Sequence, residues 1–256
     1  MYKNAVWLVV VILLSSCSDG DAIRYSQTSQ NTDIIVTNYT KSMELSTTQV
    51  SCLNDITSVN MKNGQLRSIA EKSLQKYILK VPDGHESRFG FKSKTELSKA
   101  TIGSPFHVVT SNLSAETENS ERFIPTCQLM FPVVVDGSFR SLITVARVST
   151  GWKAVEFGNA SLAKELSSKE NTLKFMSDIR PTKLLRLFGL QADFILLEGN
   201  SSEPEKWEIL PLNSAKRALD LSDTSISDKF TFDSILPEVR KKFSAISDGR
   251  GLKTTK

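Results

Sequence analysis

The chain has 256 residues, 39% of them hydrophobic and 23% charged, the proportions of an ordinary folded chain able to bury a core rather than of a disordered or fibrous one. Its 32 basic and 28 acidic residues leave a formal charge of +4 at neutral pH, too small an excess to point to nucleic acid as a partner. With two histidines and three cysteines (Cys17, Cys52 and Cys127), the chain lacks the ligand clusters of the common metal sites, so neither a metal nor a cofactor is expected.

The sharpest signal comes first in the chain. Lys3 precedes an apolar run of ten residues, Ala5 to Leu14, which closes on Leu14-Ser15-Ser16-Cys17. Spanning a bilayer takes about twenty apolar residues, whereas a basic start, a short apolar middle and a small-residue end are the order of a secretory leader. The Leu-Ser-Ser-Cys box resembles the lipobox of bacterial lipoproteins. That resemblance implies that residues 1–16 are a signal peptide and that Cys17, carrying diacylglycerol and palmitate-like chains, becomes the first residue of the mature protein. At about 0.8 kcal/mol per buried methylene, two or three acyl chains make such an anchor effectively permanent. The resemblance also implies a place in the bacterial cell envelope. An aspartate directly after the cysteine would imply retention at the inner membrane; Ser18 stands there instead, which implies the outer membrane, facing the periplasm.

Residues 17–59 read as the lipidated cysteine and a polar tether rich in Ser, Thr, Asn and Asp. An oxidising periplasm would permit Cys52 and Cys127 to pair, and their spacing equally allows two separate thiols. Residues 60–247 read as a single α+β domain, an antiparallel β-meander sheet with flanking helices; breaks near 168–182 leave a division into two subdomains open. Leu66, Ile69, Ala70, Leu74, Tyr77, Ile78 and Val81 share one helical stripe, which predicts a helix over 63–81, ended by a type I turn at Pro82-Asp83-Gly84. Ser93-Lys94-Thr95-Glu96 has the spacing of a capping box and opens a short helix through Ala100, with Gly103 placed to close it. A strand over Phe106 to Thr110 follows.

Two apolar runs, Leu129 to Val135 and Phe139 to Val148, flank Asp136-Gly137, a two-residue hairpin turn. That turn sets Val135 opposite Ser138, Val134 opposite Phe139 and Met130 opposite Ile143. A three-residue turn at Ser149-Thr150-Gly151 then sets Ile143 opposite Phe157 and Val145 opposite Val155. Met130, Val134, Phe139, Ile143, Val145, Val155 and Phe157 would share one core face, with Arg140 on the other. Pro132 falls at a non-hydrogen-bonded pair, so its missing N–H should point away from the central strand. Gly158-Asn159 caps a helix over Ala160 to Leu166, and further helical pieces are predicted at Leu173 to Met176 and Lys183 to Phe188. A second hairpin pairs Asp193 to Glu198 with Trp207 to Leu212. The last helix begins near Pro237 with Ile235, Val239, Phe243 and Ile246 on its apolar side; Arg240-Lys241-Lys242 reads as its solvated end, and 248–256 as a disordered tail.

No His-Glu-x-x-His pair, Gly-x-Ser-x-Gly elbow, phosphate-binding glycine loop or calcium loop occurs in the sequence. Ser73-Leu74-Gln75-Lys76 and Ser161-Leu162-Ala163-Lys164 match Ser-x-x-Lys, but the companion Ser-Asp-Asn and Lys-Thr-Gly segments are missing, so both read as accidental. No catalytic, cofactor-binding or metal residue is assigned. His107 on its strand, and Trp152 and Trp207 at the starts of theirs, are candidates for ligand contact, although these residue types suit packing as well. The expectation is a lipid-anchored envelope lipoprotein acting as a non-catalytic binding or accessory protein in the periplasm. Its partners would be the membrane, through the anchor, and a protein or small molecule, with no nucleic acid. The alternatives are an envelope hydrolase with an unrecognised active site and a carrier of an apolar ligand.

Overall fold

A computed structural model describes residues 64–111, 113, 123–177, 183–197, 207–221 and 230–247. Cys17, Cys52, the leader, the tether and the tail at 248–256 lie outside those residues. In chain order the helices are α1 (Gln65–Lys80), α2 (Lys94–Ser98), α3 (Ala160–Ser177), α4 (Asn213–Ala218) and α5 (Phe232–Ser247). The strands are β1 (Thr101–Ile102), β2 (Phe106–Ser111), β3 (Phe123–Val135), β4 (Ser138–Val148), β5 (Gly151–Gly158), β6 (Lys183–Leu187), β7 (Ala192–Leu197), β8 (Glu208–Pro211) and β9 (Phe230–Thr231). They form one sheet, ordered β5-β4-β3-β2-β6-β7-β8-β9, with β1 added on β3. Among the described residues only the β2–β6 pair is parallel, so the fold is α+β on a mostly antiparallel sheet.

Asp136 (φ 49°) and Gly137 (φ 73°) both take left-handed backbone, as a type I′ turn requires, and set Val135 opposite Ser138 and Val134 opposite Phe139. The expected register holds that far and then shifts. Val133 pairs with Ser141, leaving Arg140 as an extra residue, so Phe131 rather than Met130 lies opposite Ile143. The bulge sends Phe139 to the opposite face from Ile143, where it packs with Leu142 and Met130. The next turn is tighter than expected: Val148 pairs with Gly151, leaving Ser149-Thr150 as its corner. Ile143 does face Phe157. A second bulge, at Val155, then places Val145 opposite Ala154 and leaves Val155 43% exposed instead of in the core.

Arg140 uses its bulge to reach Glu96, with which it forms a largely buried ion pair at 2.6 Å. It is therefore not the dispensable surface residue that strand alternation suggests. The bulge relieves a conflict, because strict alternation would place a charged residue among apolar neighbours on a sheet covered on both faces.

Each face of the meander has its own helix. Leu66, Ala70 and Leu74 of α1 pack on Leu129, Phe131, Val133, Ile143, Val145 and Phe157. The Phe157 ring stacks on both Tyr77 and Phe89, with centroids 5.2 Å apart in each pair. Full burial of one such side chain contributes roughly 1.5–3 kcal/mol. On the opposite face Leu162, Ala163, Leu166 and Leu173 of α3 cover Phe106, Met130, Leu142, Leu184 and Ile195. The two helical pieces expected at 160–166 and 173–176 are thus one continuous helix. Asn159 (φ 57°) opens it, its carbonyl accepting the Ala163 N–H at 3.0 Å.

Several local expectations change in the tertiary setting. The segment Lys183 to Phe188 is a strand followed by a 3₁₀ turn, not a helix, with Leu184 facing α3 while Leu185 and Leu187 enter the opposite cluster. A central strand covered on both faces needs no polar alternation, so its Leu-Leu-x-Leu run fits either period. Ser93 caps α2 as predicted, accepting the Glu96 N–H at 3.2 Å, but Gly103 does not close that helix. Gly103 instead extends β1 along β3 and donates its N–H to the Pro132 carbonyl at 2.7 Å. Since a strand residue's N–H and C=O point to the same side, the proline nitrogen faces away from β4, as the sequence implied. The Pro82 reversal closes one residue later than expected, the His85 N–H donating to the Pro82 carbonyl at 3.1 Å. Helix α5 begins at Phe232 and carries Pro237 within it.

The far half of the sheet curls. Phe123 of β3 and Trp207, just ahead of β8, stack with centroids 5.6 Å apart. Three strands lie between β3 and β8, and a flat sheet would separate them by roughly 19 Å. The curl closes over α5, whose Phe232 meets Phe123 edge to face at 5.3 Å.

Candidate functional site

The residues singled out from the sequence do not form one constellation. His107 lies on β2 between Leu129 of β3 and Lys183 of β6. Lys183 in turn holds its ammonium 4.9 Å above the Trp207 ring, so His107 and Trp207 share a neighbour. The cation and the stacked Phe123 occupy Trp207 as a packing anchor. Trp152 is far from both, on the edge strand β5 opposite Arg147, and packs partly on the α1 core. Cys127 is disulfide-bonded and has left-handed backbone (φ 57°) at a bulge where β3 carries two extra residues opposite Val108 and Val109. Its expected partner Cys52, and the lipidation candidate Cys17, lie outside the described residues. The paired Ser and Lys of 161–164 are both exposed on α3, which fits their reading as accidental.

A polar cluster that the sequence did not reveal sits where α3 and α4 meet over β6 and β7. Arg186 and Asp193 stand directly opposite each other on the two strands; the guanidinium donates from Nε to Oδ1 at 2.6 Å and from Nη2 to Oδ2 at 3.3 Å. The Asp193 N–H donates to Ser214 Oγ at 3.0 Å, and that hydroxyl donates to Asp193 Oδ2 at 3.4 Å. The Leu212 N–H donates to the Asp193 carbonyl at 3.0 Å. These bonds staple α4 to β7. From α3, Glu165 accepts the Asn213 N–H at 2.7 Å, satisfying one of the donors that the first turn of α4 leaves open.

One helical turn beyond Glu165 is Lys169, only 9% exposed. It lies on the stripe of Leu162, Leu166 and Leu173, where the helix otherwise places leucine. Among the described residues it makes no hydrogen bond or ion pair. Burial lowers the Lys169 pKa, the nearby Lys216 lowers it further, and Glu165 opposes both. Burial also raises the Glu165 pKa, against the Asn213 hydrogen bond and the charges of Lys169 and Arg217. In both residues the environment disfavours the charged form. The signal legible in the sequence was a lysine at a leucine position of an apolar stripe, hidden once the helix is divided at 166.

The sign of the Glu165 shift gives a testable pH dependence. A carboxyl whose pKa is higher folded than unfolded loses stability as pH rises through that folded value and keeps it below the unfolded one. Glu165→Gln retains an oxygen for the Asn213 N–H and removes the charge. The variant should therefore match or exceed the wild type in urea unfolding near neutral pH, and the difference should shrink as pH falls below the ordinary glutamate range. A variant equally destabilised at every pH would contradict the assignment.

Among the described residues no group of three or more His, Cys, Asp or Glu is placed to hold a metal ion. No helix among them is long and apolar enough to cross a membrane. The chain matches no protein-family model, no curated protein and no solved structure.

Proposed function

We propose that this chain is a lipid-anchored protein of the bacterial cell envelope, held at the outer membrane through Cys17 and acting in the periplasm as a non-catalytic binding or accessory protein. One observation carries the reading: the apolar run 5–14 follows Lys3 and ends on Leu14-Ser15-Ser16-Cys17. The α3–α4 cluster joins two helices to the sheet. Its carboxylates are engaged in structural hydrogen bonds, Asp193 with Arg186 and Ser214 and Glu165 with the Asn213 N–H.

The anchor is tested by Cys17→Ser, since thioether lipidation requires the thiol. Cells fed labelled palmitate should yield labelled wild-type protein in the outer-membrane fraction and an unlabelled variant that is soluble or unprocessed. Recovering the variant in that fraction with acyl label would refute the proposal.

A further inference from the structure

We propose that the outward face of α1, with Lys72, Lys76 and Leu79, docks on a membrane surface bearing anionic phospholipid, the lysines on headgroup phosphates and the leucine at the acyl boundary beneath them. This second contact rests on the envelope reading above, but it is separate from the acyl anchor at Cys17 and is tested apart from it.

The first ground is where the charge of the chain sits. Residues 64–100, which carry α1 and α2, hold eight basic and four acidic residues, an excess of four. The whole chain has 32 against 28, so everything outside this segment balances at 24 of each. The protein thus presents one basic region on an otherwise neutral chain. Three of the four acids in the segment are already paired, Glu71 with Arg67 at 2.8 Å, Asp83 with Lys94 and Glu96 with Arg140. The fourth, Glu86, lies beyond the end of α1 in a 3₁₀ turn.

The second is the geometry of α1. Leu66, Ala70 and Leu74 turn inward onto the sheet. Lys72, Lys76 and Leu79, spaced i, i+4 and i+7, fall together on the opposite side within roughly 60° of arc, and all three are exposed. Leu79 is 86% exposed, more than any other large hydrophobic residue described. A single leucine on a surface needs no explanation by itself. This one lies between lysines on the outer line of a helix, where long basic stems reach phosphates while an apolar tip reaches the acyl boundary.

The third is the place of α1 in the chain. The sequence from Cys17 leads directly to Gly64, which opens this helix. A domain held by acyl chains on its N-terminal side meets the bilayer from that end, and the raised effective concentration lets a contact of modest intrinsic affinity be occupied. A soluble acidic protein would match the charge but would gain nothing from the proximity that the anchor imposes.

The test uses protein purified from cells after its natural N-terminal processing. Leu79→Trp places an environment-sensitive indole on the face, and Lys164→Trp, at an exposed position of α3 across the sheet, is the control. Each is mixed with vesicles of phosphatidylcholine alone or of its equimolar mixture with phosphatidylglycerol, with brominated acyl chains as quencher. Leu79→Trp should show a blue-shifted, bromine-quenched emission with the anionic vesicles, lost with phosphatidylcholine alone and fading as sodium chloride is raised. Lys164→Trp should stay in water with both. Adding Lys72→Gln and Lys76→Gln to Leu79→Trp should lower the docked-to-undocked ratio roughly tenfold or more, since each lysine near such a surface contributes about fivefold. Thermal midpoints check the fold of each variant, and Gln75→Trp, also exposed on α1, carries the reporter if Leu79→Trp does not fold. An α1 reporter that stays in water with anionic vesicles, quenching that is indifferent to the two lysines, or equal quenching on α1 and α3 would overturn the docking face. Flotation on phosphatidylcholine vesicles reports the anchor separately. Protein that floats while its α1 reporter stays in water keeps the anchor and loses the face; protein without acyl chains whose reporter responds does the reverse.

Discussion

Gly90→Ala is expected to cost about 4 kcal/mol or more, near the upper end for a single substitution. Gly90 has φ 88°, and a methyl group added there would lie 1.9 Å from the Arg140 carbonyl oxygen, 2.9 Å from its carbonyl carbon and 3.0 Å from the Ala160 Cβ. The first of these is well inside any contact that real atoms adopt, and two of the three atoms are backbone. Relief would require the β4 bulge or the start of α3 to move. Neither can do so cheaply: the bulge carries the Arg140–Glu96 ion pair, and Phe89 and Phe91 on either side of the glycine are fixed in the core. Gly84→Ala is the control, since Gly84 has a similar backbone (φ 79°) with nothing within 4 Å of an added Cβ. It should show only the left-handed penalty, about 1–2 kcal/mol. Urea midpoints of the two variants measure the difference, and equal losses would show that the close approach at Gly90 carries no energetic weight.

Ile143→Ala should lose ~2–5 kcal/mol, the range for a large-to-small change at a fully buried site. Ile143 is 0% exposed and sits between Phe131 and Phe157 on the face that α1 covers. The cavity would open beneath a stack of aromatic rings, which limits collapse of the surroundings. Val155→Ala is the informative partner. Plain strand alternation places both residues in one core, whereas the bulge puts Val155 at the surface, where truncation should cost about 0.5 kcal/mol or less. Comparable losses in the two variants would mean that the second bulge is misplaced.

Elements set by nearest neighbours were legible in the sequence. The stripe of α1, the Ser93 cap, the strand at Phe106, the Asp136-Gly137 turn and the pairing of the 193–197 and 208–211 strands each depend on spacing, capping or turn chemistry within a few residues. The proline nitrogen at 132 could be oriented for the same reason. The address proposed for the protein, too, rests on a local signal, the run ending at Cys17, and no tertiary contact enters that argument.

What the sequence left undecided were the places where distant segments impose a choice. Both faces of the meander are covered, so the run Met130 to Val135 is apolar on each side, and burial alone does not distinguish one register from the next. The shifts at Arg140 and Val155 were decided by Glu96, 44 residues from Arg140 in the chain, and by the fit of the hairpin under α1. Leu184, Leu185 and Leu187 became a strand only because β2 and β7 stood on either side to accept their hydrogen bonds. Lys169 acquired its meaning in the same way. Within α3 it is one polar residue on an apolar stripe, and only the docking of α4, with Lys216 nearby and the Asn213 N–H on Glu165, makes its surroundings disfavour the charged form. Local sequence determines turns, caps and stripes because their energies arise between neighbours in the chain. Register between two covered faces and the electrostatic surroundings of Lys169 arise between elements, and tertiary packing alone decides them.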